Sequence, residues 1–139
     1  MNILLDTNIV SELGRPSPNE ELVRRLGAHN GRVSIASVTL HEVIYGIERM
    51  PDGKRKEAVK QYVRDNVLPL RVVPYDMQAA DCHARERARL ERIGKTMPYA
   101  DGQIAAIAVV HSLTLITANV KDFANVRDLR TANWLARPK

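Results

Sequence analysis

Three carboxylates stand far apart in this chain, each at the border of an apolar segment: Asp6, Glu42 and Asp101. Asp6 closes the run Asn2-Ile3-Leu4-Leu5. Glu42 lies in Thr39-Leu40-His41-Glu42-Val43, and Asp101 opens Asp101-Gly102-Gln103-Ile104-Ala105-Ala106. An acid at such a border either caps a helix or faces a positive charge. If the three converge, each pair about 4 Å apart repels by roughly 4 kcal/mol at an effective dielectric of 20. Three pairs amount to about 12 kcal/mol, comparable with the whole stability of a domain. Such a cluster must protonate, recruit Lys or Arg, or hold a divalent cation. Oxygen-only ligands favour Mg²⁺ or Mn²⁺ over Zn²⁺.

Each acid also has a local explanation. Asp6 follows a short β-type run, and it or Thr7 suits the cap of a helix starting near Asn8. It equally suits a ligand at the carboxyl edge of a parallel sheet. Thr39-x-x-Glu42 spells a capping box, with Thr39 as N-cap and Glu42 reaching back. Against that, Glu42 points away from the stripe Leu40, Val43, Ile44 and Ile47, and Gly46 stands one turn further along its own face. A glycine inside a helix costs about 1 kcal/mol relative to Ala, so the space it leaves beside a carboxylate suggests room for a ligand. Asp101 belongs in a first helical turn, which favours acids, yet it shares a face with Ile104, Ala105 and Ala108. A fourth oxygen ligand falls at Asn119 or Asp122, which both follow a strand end and both suit turns.

The elements that must position these groups alternate. Short β-type runs at Ile3–Leu5, Val33–Ala36, Leu70–Val73 and Leu113–Thr117 are separated by helical spacing over Asn8–Leu13, Asn19–His29, Leu40–Met50, Lys54–Asn66, Met77–Ile93 and Asp101–Ser112. Alternating strands and helices predict an α/β fold with a largely parallel sheet. The runs lack polar alternation, as strands covered on both faces do. The helix from Asp101 is apolar nearly all round and belongs in the interior. The helix from Met77 is read with Met77, Ala80, Ala84 and Ala88 on one stripe. Arg85, Arg89 and Arg92 form another, which is a solvated face or a phosphate-contacting one.

With 139 residues, 45% of them hydrophobic and 27% charged, the chain fits one domain over 1–139 with a real core. The net charge of +5 suggests an acidic partner, nucleic acid first. A single cysteine, Cys82, rules out an intramolecular disulfide. No apolar run approaches the roughly 20 residues of a membrane span, and the N-terminus carries no basic flank, so the cytoplasm is the default. Cys82 and His83 are neighbours that a helix points apart. The four histidines lack metal spacing, and neither a Gly-x-Ser-x-Gly elbow nor a Walker A loop is present. Trp134 and the four tyrosines are assigned to packing.

Taken in order, Leu4-Leu5-Asp6-Thr7-Asn8, Ser11-Glu12, Arg15-Pro16-Ser17-Pro18-Asn19, Thr39-x-x-Glu42-x-x-x-Gly46, Ala100-Asp101-Gly102-Gln103-Ile104-Ala105-Ala106 and Thr117-x-Asn119-Val120-Lys121-Asp122-Phe123 resemble the PIN-domain ribonucleases. Within them the sequence resembles the VapC-like toxins of type II toxin–antitoxin modules, FitB-like subgroup. The resemblance implies a three-layer α/β/α sandwich and an acidic cluster that holds Mg²⁺ or Mn²⁺ and cleaves RNA. Carried over by motif, Asp6, Glu42 and Asp101 are the core acids, with the fourth in the Asn119 or Asp122 region. Ala118 stands where many relatives carry Arg, and Asn133-Trp134 lacks the Pro that relatives often place between them. Thr7, Asn8 and Thr117 would orient water or ligands, while Arg85, Arg89, Arg92 or Lys121 would hold the RNA backbone. The resemblance further implies a VapB-like antitoxin that blocks the site and alone supplies operator DNA binding, and a toxin homodimer. Two rivals remain from the residues themselves: a nucleic-acid-binding subunit without turnover, and a metal nuclease acting on DNA.

Overall fold

The four apolar runs of the chain become strands of one parallel sheet, which a fifth strand completes at its edge. In the computed structural model, residues 1–135 are described, so the last four positions of the expected 1–139 domain lie outside the described residues. The elements run β1 (Ile3–Leu5), α1 (Thr7–Leu13), α2 (Glu20–Ala28), β2 (Val33–Ala36), α3 (Ser37–Glu48), α4 (Lys54–Asn66), β3 (Arg71–Val73), α5 (Met77–Arg92), α6 (Tyr99–Val110), β4 (Thr114–Ile116), a 3₁₀ turn (Val120–Phe123) and β5 (Arg130–Ala132). The sheet order is β3-β2-β1-β4-β5. β1 occupies the centre, pairing Leu5 with Ile35 on one side and with Ile116 on the other.

Strand alternation divides the interior into two layers. Ile3, Leu5, Ile35 and Ile116 face a core that includes Ile9, Val10, Leu22, Ile47, Val63, Val67 and Trp134. Leu4, Ala36, Val73 and Leu115 face the opposite layer, filled by Ala79, Ile104 through Ala108 and Phe123. The result is the expected α/β/α sandwich. Helix α6 is buried on nearly every side, because its three consecutive small-and-branched turns let it lie against both the sheet and α5.

Helix α6 ends in a Schellman motif. The Leu113 N–H bonds the Ala108 carbonyl at 2.9 Å and the Ser112 N–H bonds the Val109 carbonyl at 3.3 Å. Ser112 occupies the left-handed position at φ 54°, where glycine is the usual residue.

Three sequence readings are corrected. β5 was not anticipated: it is three residues long, carries Arg130 and Thr131, and becomes a strand only because β4 offers it an edge. The buried stripe of α5 is Ala79, His83 and Leu90, not Met77, Ala80, Ala84 and Ala88; Met77 is 85% exposed. In α3, Ile44 is 44% exposed, although Val43 and Ile47 pack inward as the apolar stripe required.

Candidate active site

The central strands end where the acids begin. Asp6 follows β1 directly and caps α1, its Oδ1 accepting from the Thr7 N–H at 2.8 Å. Its Oδ2 accepts from Thr117 Oγ1 at 2.8 Å, just past the end of β4. The cap and the inward-facing carboxylate are thus one side chain, 6% exposed. Burial pushes the Asp6 carboxyl above the usual carboxylate range. The Thr117 and Thr7 hydrogen bonds oppose that shift, and the charges of Glu42 and Asp122 add to it.

Glu42 reaches the same place from α3. The capping box does not form: α3 begins three residues earlier, at Ser37, with Ala36 at the cap, which leaves Thr39 and Glu42 inside the helix. Glu42 Oε1 instead accepts from Thr7 Oγ1 at 2.7 Å, and Thr7 Oγ1 lies 3.2 Å from Thr39 Oγ1. A hydroxyl has one hydrogen, so Thr7 donates to Glu42 and its lone pairs face the Thr39 hydroxyl. Thr39, fully buried, is therefore part of the site. Its only sequence signal was the Thr-x-x-Glu pattern, which pointed to a cap.

Asp101 sits in the first turn of α6, which starts at Tyr99 rather than at Asp101 itself. Burial raises its carboxyl, and the charges of Asp6, Asp122 and Glu42 raise it further. Four acids from four separate segments thus bear on one another, and the fourth is Asp122. Asn119 meets the site through its backbone: its N–H bonds Thr117 Oγ1 at 3.0 Å, and its carbonyl accepts from the Asp122 N–H at 3.0 Å, closing the 3₁₀ turn that carries Asp122. Asn8 Oδ1 accepts from the Ala118 N–H at 3.4 Å and so ties that same loop to α1.

Among the described residues, no three His, Cys, Asp or Glu side chains lie close enough to form a chelating group by themselves. The donor set still suits a hard divalent cation. It is all oxygen, it is partly buried, and the charges that weigh on Asp6 and Asp101 are carboxylates.

The basic candidates divide. Arg89 is committed within the molecule: its Nε and Nη2 bind Glu86, and Nη2 also reaches the Asn125 carbonyl. Arg85 pairs with Asp81 on the surface of α5. Arg92 and Lys121 are exposed, Lys121 in the same 3₁₀ turn as Asp122.

The structure adds one buried group that the sequence left among scattered histidines. His83 is 6% exposed, its Nδ1 2.8 Å from the Tyr75 hydroxyl, its ring edge-on to Tyr99. Its Nε2 occupies the space where Gly102 would carry a Cβ. The glycine after Asp101 is therefore what lets α5 approach the first turn of α6. Trp134 is buried as expected, against His29 and under Arg25. Tyr45 and Tyr99, assigned to packing, are 54% and 55% exposed.

A parallel sheet with acids at the carboxyl ends of its central strands and at the start of two helices defines a class, and comparison with known proteins identifies it. Residues 3–129 match the PIN domain, and the chain belongs to that family. It is 37% identical to the toxin FitB of Neisseria gonorrhoeae over 87% of this chain and 90% of that protein. It is 34% identical to a tRNA(fMet)-specific endonuclease VapC of Shigella flexneri over 96% and 98% of the two chains. Among solved structures, FitAB bound to the IR36 DNA fragment superposes with a TM-score of 0.86 at 34% identity, covering 98% of each chain.

Proposed function

We propose that this chain is an endoribonuclease dependent on Mg²⁺ or Mn²⁺, and the toxin of a type II toxin–antitoxin module. The observation that carries the reading is the gathering of Asp6, Glu42, Asp101 and Asp122 from four distant segments. Asp6 and Asp101 would hold the ion, Glu42 would hold it directly or through water, and Asp122 would complete the ring. Mg²⁺ keeps several of its waters, so a ring wider than direct three-fold chelation suits it. When bound, the ion supplies Lewis acidity toward a phosphodiester oxygen and toward water.

The protein's own residues fix the geometry. Thr117 and the Thr7 N–H each hold one oxygen of Asp6, so the carboxylate cannot rotate. Thr7 sets the rotamer of Glu42. Asn8 and Asn119 hold the loop that presents Asp122. Water attacks phosphorus in line, the bond to the 3′ oxygen breaks, and the products are a 5′-phosphate and a 3′-hydroxyl. Lys121, in the same turn as Asp122, and Arg92 would contribute charge toward the RNA backbone. The relatives that are ribonucleases and the neighbours that are toxin–antitoxin complexes support a VapB-like antitoxin as partner, which would also supply contact with operator DNA. On this reading the toxin works in the cytoplasm, as a homodimer within that complex. No helix among the described residues is long and apolar enough to cross a membrane.

The test is cleavage of mixed RNA and of single-stranded DNA by the purified chain with Mg²⁺ or Mn²⁺. RNA is expected to be cut and DNA spared, with activity lost in Asp6→Asn and in Asp101→Asn. Undiminished cutting by either variant, with unchanged metal affinity, rejects the assignment.

A further inference from the structure

Helix α3 carries more than Glu42. His41 and Tyr45 stack with ring centroids 6.0 Å apart and planes 9° from parallel. The Arg49 guanidinium lies 5.0 Å from the centroid of the Tyr45 ring. These three planar groups repeat at i, i+4 and i+8, so they form a column along one line of the helix. All three are exposed. At 3.6 residues per turn, His41, Tyr45, Arg49, Glu42 and Gly46 share an arc of about 140°. Val43 and Ile47 occupy the opposite side, in the core. The column therefore runs beside the carboxylate, with His41 at the same height as Glu42 and Arg49 about 10 Å further along the axis.

The face next to the column is open. A Cβ at Gly46 would meet nothing within 4 Å. Beside the column a hollow is lined by Ser37, Leu40, His41, Ile44, Tyr45 and Glu48. A soluble surface helix gains little from an exposed column of imidazole, phenol and guanidinium. Single-stranded nucleic acid gains much from one, because every base has a stacking face and every linkage has a phosphate. Histidine and tyrosine rings and the guanidinium plane are the side-chain surfaces that take unstacked RNA bases.

We propose that His41, Tyr45 and Arg49 form a stacking subsite for a nucleotide flanking the cleaved phosphodiester, on the α3 side of the acids. Tyr45 holds the other two in register. The free face of His41 takes the base nearest the acids, and Arg49 takes a phosphate further along the strand. This rests on the ribonuclease reading above and adds the path by which single-stranded RNA reaches it. A second copy of this chain is the competing occupant for the same face, and the experiment separates the two.

The probe is a fluorescein-labelled single-stranded oligoribonucleotide, its binding followed by anisotropy in EDTA so that no cleavage intervenes, with molecular mass measured by light scattering on the same samples. Tyr45→Ala and His41→Ala should each weaken binding roughly ten- to a hundredfold. Tyr45→Phe should bind as the unaltered chain does, and the mass should not change. With Mg²⁺ restored, KM should rise in the alanine variants while kcat is kept. Unchanged RNA affinity in both alanine variants overturns the subsite, as does a lower mass in either variant, which would assign the face to self-association. An unaltered chain that neither binds nor cuts RNA defeats the ribonuclease reading instead. Cutting by the unaltered chain together with indifferent alanine variants defeats the subsite alone.

Discussion

Asp6 serves two masters at the scale of one residue. As a helix cap it stabilises α1, and as a buried carboxylate among others it costs stability once ionised. A carboxyl whose pKa is raised on folding ionises more readily in the unfolded chain. Its cost is therefore absent below the unfolded pKa and fully present above the folded one. Without metal, stability is expected to fall as pH rises through the range where Asp6 and Asp101 ionise, and Asp6→Asn should flatten that slope. Asn caps helices as well as Asp does, so the variant should still fold. Saturating Mn²⁺ at a hundred times its Kd should stabilise the unaltered chain by about 2.7 kcal/mol and Asp6→Asn hardly at all. Thermal melts with and without metal, across pH, check both statements. Gly102 makes a second prediction at this scale. A methyl group there collides with His83, whose ring is held by Tyr75 and cannot swing away freely. Gly102→Ala should cost about 1–3 kcal/mol in a denaturant titration and should weaken metal binding by moving Asp101.

Among the elements, two junctions invite measurement. Helix α6 ends on Ser112 in a left-handed conformation that glycine adopts without strain. Ser112→Gly should stabilise the fold by about 1 kcal/mol, because the Schellman hydrogen bonds remain and the Cβ penalty goes. The second junction ties α5 to the segment before β5. Glu86 accepts from Arg89, from the Arg127 N–H at 2.7 Å and from the Arg127 side chain at 3.2 Å. Chiefly the Arg89 hydrogen bond, and then the Arg127 N–H, hold its carboxyl down to about 2, against the desolvation that would raise it. A depressed acid adds stability that is complete above the unfolded value and is lost as pH falls through the folded one. The contribution should be on the order of 2 kcal/mol above pH 4.5 and fade toward pH 2. Glu86→Gln should lose most of it at neutral pH, and the two stability curves should converge in acid.

For the whole molecule, the charge distribution sets the encounter with substrate. A net charge of +5 surrounds a pocket of carboxylates. On the proposed ribonuclease reading, the body attracts RNA while the pocket, left without a cation, repels the phosphate that must enter. RNA affinity should therefore fall steeply with salt, the logarithmic slope being roughly −0.7 for each phosphate neutralised on a single strand. Affinity should also rise when Mg²⁺ is added to Asp101-intact protein at constant ionic strength. A salt titration of anisotropy, with and without Mg²⁺, measures both when the oligoribonucleotide carries linkages that resist hydrolysis. The split into two packed layers serves the same end. β1 and β4, covered on both faces, form a stiff base from which Asp6 and Thr117 emerge within hydrogen-bonding distance although 111 positions apart.

Much of this architecture was legible in the chain. Four of five strands, six helices and the positions of Asp6, Glu42 and Asp101 at segment borders follow from apolar runs and turn residues, because those features act locally; the role of these acids was implied only by the family resemblance. What the chain could not reveal by itself depended on contacts between distant segments. β5 is a strand only by grace of its neighbour. Thr39 and Glu42 spell a cap, yet they turn inward because Ala36 enters the helix straight from β2 and Thr7 waits across the gap. Asn119 and Asp122 are equal in sequence, and only the loop's closure decides which side chain faces the other acids. His83 was one of four scattered histidines until Gly102 opened a place for it. Local propensity determined which segments exist and where their acids lie. Tertiary packing alone determined which oxygens face one another, because that depends on how sheet and helices close in space and not on spacing along the chain.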